Sequence, residues 1–251
     1  MADVLENAIN IAHRFSEEEK LCNPVILCEK LGIILITDKP LHKDGYFICY
    51  NSHKYIFISS NVKNRHRQGF VIAHEIGHFL MLQNCMYGCT NVSLASSLRM
   101  NTPIQEKEAN DFATELLLPK EELATLIPNR SLTFSDIFAI ASYFDVSVTH
   151  AAIKAIRLSN TEDEVLLCYN GQMLQWYVAS NTYGLRRMIP AYCPVDLSKA
   201  AKSASVNGVW DALFEGSVSQ EIFQPYGKQT LVLLSGTRND YDEESYGLHR
   251  E

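Results

Sequence analysis

His74 and His78 stand four residues apart with Glu75 between them, inside an otherwise apolar run that extends from Val71 to Met81. Positions i and i+4 of an α-helix share one face, so both imidazoles can turn toward a single point while Glu75 projects beside them. Imidazole nitrogens are borderline ligands, and two of them at this spacing suit zinc, a divalent ion with no redox chemistry of its own. Three ionisable groups flanked by VIA and FLM would set charge against a buried helix unless something pairs with them. A bound cation supplies that partner. Gly77 adds a second hint, because glycine costs a helix interior about 1 kcal/mol and is tolerated where a neighbouring backbone or ligand needs room.

A catalytic zinc takes three protein ligands and keeps a fourth position open for water. The segment QEKEANDFATE, residues 105–115, offers Glu106, Glu108, Asp111 and Glu115. Glu106 and Glu108 face about 200° apart on a helix, so only one of them can serve. Asp111 lies one turn beyond Glu108, where it could orient Glu108 or a ligand histidine from behind.

The stretches FVIAHEIGHFLM (70–81) and, about thirty residues after the histidine pair, EANDFATELLLP (108–119) together resemble the ImmA/IrrE family of bacterial and phage metallo-endopeptidases. The resemblance covers roughly residues 1–125, including the Arg67 and Phe70 lead-in. It implies that His74, His78 and Glu108 are zinc ligands, with Glu106 as the fallback ligand and Asp111 behind them, and that Glu75 is the general base toward a metal-held water. It implies Zn²⁺ as the cofactor, with Mn²⁺ as a substitute. It further implies a site-selective intracellular endopeptidase whose substrate is a regulatory protein, a helix-turn-helix transcriptional repressor, in the setting of a mobile element or a stress response. A non-catalytic zincin-fold interaction module of the phage or toxin–antitoxin type is the alternative, and retention of Glu75 weighs against it.

The elements that must position these residues are legible in outline. Residues 3–20 carry apolar positions at helical spacing, and a second short helix follows Pro24 and ends at Gly32. IILIT, YFICYN and YIFISS read as three short strands of an antiparallel sheet, with a turn at NSHK. Helical patterning returns over 68–82, and a polar loop spans 83–103. Pro103 then opens a helix that runs to Pro119. Residues 131–158 resemble a helix-turn-helix, but its charges are sparse (Asp136, Asp145, Lys154, Arg157), which favours packing over DNA contact. Beyond 160 the texture changes to strand-like runs, EVLLCY, MLQWYVAS, LRRMIP and QTLVLLSG, with turns at Asn170-Gly171 and Asn207-Gly208. The expected architecture is α+β: a zincin-like metallopeptidase domain over 1–128, a helical extension over 129–159, and a β-rich α+β domain over 160–251 that binds substrate or senses a signal.

Composition narrows the partners. A net charge of −7 gives no global attraction to nucleic acid or to an anionic membrane. Seven cysteines without a C-x-x-C pair suit free thiols in a reducing compartment, although Cys85 and Cys89 could share a helix face. The N-terminus lacks a signal-peptide pattern, and no run of 18 apolar residues occurs, so a cytoplasmic protein is expected.

Overall fold

The computed structural model describes residues 10, 13, 23–83, 103–160, 163–181, 183, 189–197, 202–225 and 229–238. Contacts divide the chain into two units, 1–122 with 144–147, and 123–143 with 148–251. The expected helix over 3–20, the polar loop over 83–103, most of the LRRMIP run, and Cys85 with Cys89 lie outside the described residues.

In the first unit, helix α1 (Pro24–Lys30) opens on Asn23, whose side-chain oxygen accepts from the Val25 N–H at 2.9 Å, with proline at the first helical position. Strands β1 (Ile33–Ile36), β2 (Gly45–Tyr50) and β3 (His53–Ile58) follow. Asn51 and Ser52 both take positive φ, 46° and 63°, the two-residue turn whose twist suits a hairpin, and β2 pairs antiparallel with β3. The sheet order is β1-β3-β2, and β1 runs parallel to β3, with Ile33 opposite Lys54 and Ile36 opposite Phe57. The sheet is therefore mixed where an antiparallel one was expected. A two-residue turn can only join antiparallel neighbours, whereas the longer 37–44 segment carries the chain past the place that β3 then fills.

Helix α2 (Arg65–Gln83) buries Val71, Ile72, Ile76 and Phe79 against Leu27, Ile33, Phe47, Ile56 and Ile58. Helix α3 (Pro103–Leu117) packs on α2 through Ala109, Phe112 and Ala113, all fully buried. Gly77 makes that approach possible: a Cβ there would lie 2.9 Å from Phe112 Cδ1 and 3.3 Å from Ala109 Cα. The room that the glycine predicts is occupied by the neighbouring helix. Helix α4 (Lys120–Leu126) follows, its first N–H donated by Lys120 to Glu115 at 2.8 Å.

The second unit joins helices α5 (Phe134–Tyr143) and α6 (Val148–Leu158) to an antiparallel sheet of β4 (Asp163–Asn170), β5 (Met173–Ala179), β6 (Ser203–Asn207), β7 (Phe214–Phe223) and β8 (Gln229–Arg238), in the order β5-β4-β8-β7-β6. The central strand β4 is buried without interruption from Glu164 to Tyr169, as a strand covered on both faces should be. The start of α5 is held by a reciprocal cap between Thr133 and Asp136, with Arg130 forked onto the Asp136 carboxylate at 2.7 and 2.9 Å. Two carboxylates from the sheet add to it: Glu164 accepts from the Leu132 N–H and Glu221 from the Phe134 N–H. Strands β6 and β7 were not anticipated, because SASVN and FEGSVSQEIF are rich in serine and glutamate and poor in β-branched residues. The four described cysteines, 28, 49, 168 and 193, are free thiols.

Candidate metal centre

Helix α2 presents different residues to different neighbours. Its stripe 67, 71, 75, 79 follows strand β2: Arg67 reaches Asp44 at 2.7 Å, Gly45 sits against Val71, the Phe47 backbone hydrogen-bonds Glu75, and the Phe47 and Phe79 rings are 5.1 Å apart. Gly77, about 200° round the helix from Glu75, faces α3. His74 and His78 lie on the arc between these flanks, and their Nε2 atoms approach to 3.0 Å.

The carboxylate that joins them is Glu106, with oxygens 3.3 Å from His74 Nε2 and 3.4 Å from His78 Nε2. His74, His78 and Glu106 form a group able to hold one ion. Glu108, the ligand that the resemblance implies, is not in this group, while Glu106, held in reserve, is. The reason is the phase of α3. Ala109 and Phe112 are wedged against Gly77, so the face that continues to the histidines is 106, 109, 110, 113, and Glu108 points about 200° away from Glu106. Asp111 pairs with Lys107 at 2.7 Å on the exposed side. The residue behind His74 is instead Asn110, whose Oδ1 lies 3.0 Å from His74 Nδ1. A proton on Nδ1 donated to Asn110 leaves the Nε2 lone pair aimed at the shared point. Asn110 had not been considered from the sequence, although it shares the helix face of Ala109 and Ala113.

Electrostatics favours ligand-ready protonation states. Burial pushes the His74 imidazole below its ordinary range against the pull of Glu106, and burial together with His74 lowers His78 to about 4. Both rings are thus neutral near pH 7, the form that binds metals. Glu75, only 7% exposed, is raised to about 7 by burial and by the charge of Glu106, against the Phe47 backbone hydrogen bond and Lys43. A carboxylate poised there matches what general base catalysis near neutrality requires.

The donor set also fits zinc by spacing. Ligand atoms about 2.0–2.1 Å from a tetrahedral zinc lie about 3.3 Å from one another, and the three separations here are 3.0, 3.3 and 3.4 Å. Other polar residues near α2 in the chain are engaged elsewhere: Tyr50 is exposed, His53 bonds the Asn51 carbonyl, and His66 faces Asp145. A second group, His13 with Glu115 and Glu121, has each ring nitrogen near a different carboxylate, at 3.3 and 3.7 Å, which is a clamp rather than a convergent cradle. Among the described residues no helix is long and apolar enough to cross a membrane.

The wider comparisons agree with this geometry. Over 136 residues the chain is 31% identical to a protein described as uncharacterized immunity region protein 2 of Bacillus phage phi105, covering 49% of this chain and 75% of that one. A solved Mycobacterium tuberculosis transcriptional regulator shares the fold with a TM-score of 0.53 at 12% identity, over 94% of this chain and 76% of that one. The model of the IrrE N-terminal-like domain, a metallopeptidase-class family, matches residues 28–155, which is just over half of the 251-residue chain, and the protein therefore belongs to that family.

Proposed function

We propose that the protein is a zinc-dependent, site-selective intracellular endopeptidase on a zincin-like scaffold, which cuts a helix-turn-helix repressor and so switches gene expression. The observation that carries this reading is the convergence of His74, His78 and Glu106 on one point beside a buried carboxylate that no ligand role requires, Glu75. The relative from a phage immunity region supports a substrate of the repressor class.

His74, His78 and Glu106 would hold the ion, and Asn110 would fix the His74 tautomer. Zinc in this cradle would supply Lewis-acid polarisation of a peptide carbonyl and acidification of a water. Glu75, oriented by the Phe47 backbone, takes the proton of the attacking water and can return it to the departing amine. The second unit, including residues 160–251, is proposed to bind the substrate protein or a signal.

The test is incubation of the zinc-loaded protein with the helix-turn-helix repressor encoded beside it, followed by mass spectrometry of the products. Glu75→Gln should retain zinc and lose cleavage by about 10²–10⁴-fold. Full activity in that variant overturns the mechanism, and zinc binding without any cleavage would favour the non-catalytic interaction module.

A further inference from the structure

The two walls of the cleft in front of His74 and His78 carry opposite charge. On the α3 wall, Lys107 is occupied by Asp111, which leaves Glu106 and Glu108 without a lysine or arginine partner among the described residues. On the β2 wall, Asp44 is occupied by Arg67 through contacts of 2.7 and 2.8 Å. The residue before it, Lys43, is exposed and has no carboxylate within ion-pair distance among the described residues. The register of β2 on α2 fixes where this ammonium stands. Asp44 faces Arg67, Gly45 faces Val71 and Phe47 faces Glu75, so Lys43 enters on the Glu75 flank of the cleft. Its charge is felt at Glu75 and at His78, while Arg67 is the cation felt at His74.

A cation aimed into a cleft and left unpaired by its own fold is available to a ligand, and the opposite wall repels the same ligand group. Resting on the peptidase reading above, we propose that Lys43 determines specificity by binding a carboxylate side chain of the substrate, an aspartate or glutamate close to the scissile bond on the β2 side of the cleft. Together the walls set the direction in which a peptide lies: its acidic residue goes to Lys43 and away from Glu106 and Glu108.

The experiment uses the full-length, zinc-loaded protein and peptides spanning the cleaved segment, N-acetylated and C-amidated so that side chains are the only carboxylates. Peptides are compared in isosteric pairs, Asp against Asn and Glu against Gln, at each position around the scissile bond. In the wild type, one position should favour the acid by about five- to tenfold in kcat/KM, the size of a partly shielded single ion pair. In Lys43→Ala the ratio should fall to near one, chiefly through KM, and in Lys43→Glu it should invert. A structural role would lower both members of a pair equally and leave the ratio unmoved. Glu75-dependent cleavage with identical ratios in wild type and Lys43→Glu overturns the carboxylate site alone. Absence of any cleavage that depends on Glu75 overturns the peptidase reading, and the carboxylate site with it.

Discussion

Each half of the molecule buries a glutamate, and the two are used differently. Glu164, fully buried in the centre of β4, gives an oxygen to the Leu132 N–H and so helps fasten the start of α5 to its sheet. Glu75, also buried, has one backbone partner, in Phe47, and otherwise faces Glu106 and the histidine pair. Burial of a carboxylate is therefore no mark of function by itself. What separates the pair is the company: Glu164 serves backbone donors that its own fold would leave unsatisfied, whereas Glu75 stands in a group of side chains that converge on a point outside the chain's own hydrogen bonding.

The sharpest way to break this contrast is at the carboxylates of α3. Glu106→Gln should weaken zinc binding by well over a hundredfold, beyond the roughly 10–100-fold expected of supporting residues, and Glu108→Gln should leave it nearly unchanged. Competition with a chelating dye reads both, and the reverse order would move the ligand to Glu108. Next in size, Asn110→Ala should cost about 10–100-fold in zinc affinity by freeing the His74 tautomer.

Stability should respond in the opposite sense. Glu164→Leu leaves the Leu132 N–H unpaired and should cost about 1–3 kcal/mol, with zinc content retained. Both tryptophans, Trp176 and Trp210, belong to the second unit, so their fluorescence during urea unfolding reports on that half directly. Glu75→Gln, by contrast, should leave the metal-free protein as stable or more so, since it removes a buried charge held beside Glu106. An equal loss from both changes would erase the distinction.

The smallest effects lie within α2. Gly77→Ala should cost about 1–3 kcal/mol because its methyl group would meet Phe112 and Ala109. Gly69→Ala meets nothing within 4 Å and should stabilise the helix by about 0.5–1 kcal/mol. Thermal denaturation of the two variants compares them, and equal behaviour would show that α3 yields to the added methyl.

The helix that carries His74, Glu75 and His78 was legible because its signal is local: periodicity, ligand type and spacing all fall within one stretch of eleven residues. The hairpin at Asn51-Ser52 was legible for the same reason. The choice between Glu106 and Glu108 depends on how α3 is rotated against α2, and that phase is set by the fit of Phe112 and Ala109 on Gly77, a contact between residues more than thirty apart. The two small residues Ala109 and Ala113, on the same face as Glu106 and Asn110, are the trace that this contact leaves in the sequence. The parallel pairing of β1 with β3 leaves no such trace, since strand composition is silent about order. Strands β6 and β7 escaped notice because backbone pairing with their neighbours, rather than β-branched side chains, holds them.

Because α2 is read by β2 on one flank and by α3 on the other, its length between Arg67 and Gly77 behaves as a fixed gauge. One residue added or removed there would turn everything beyond it by about 100°. The Arg67–Asp44 and Gly45–Val71 contacts would then hold one half of the helix in place while Glu75 and the histidines swung off target. Related chains should accordingly vary freely in the loops around this helix, yet keep an invariant count of residues within it.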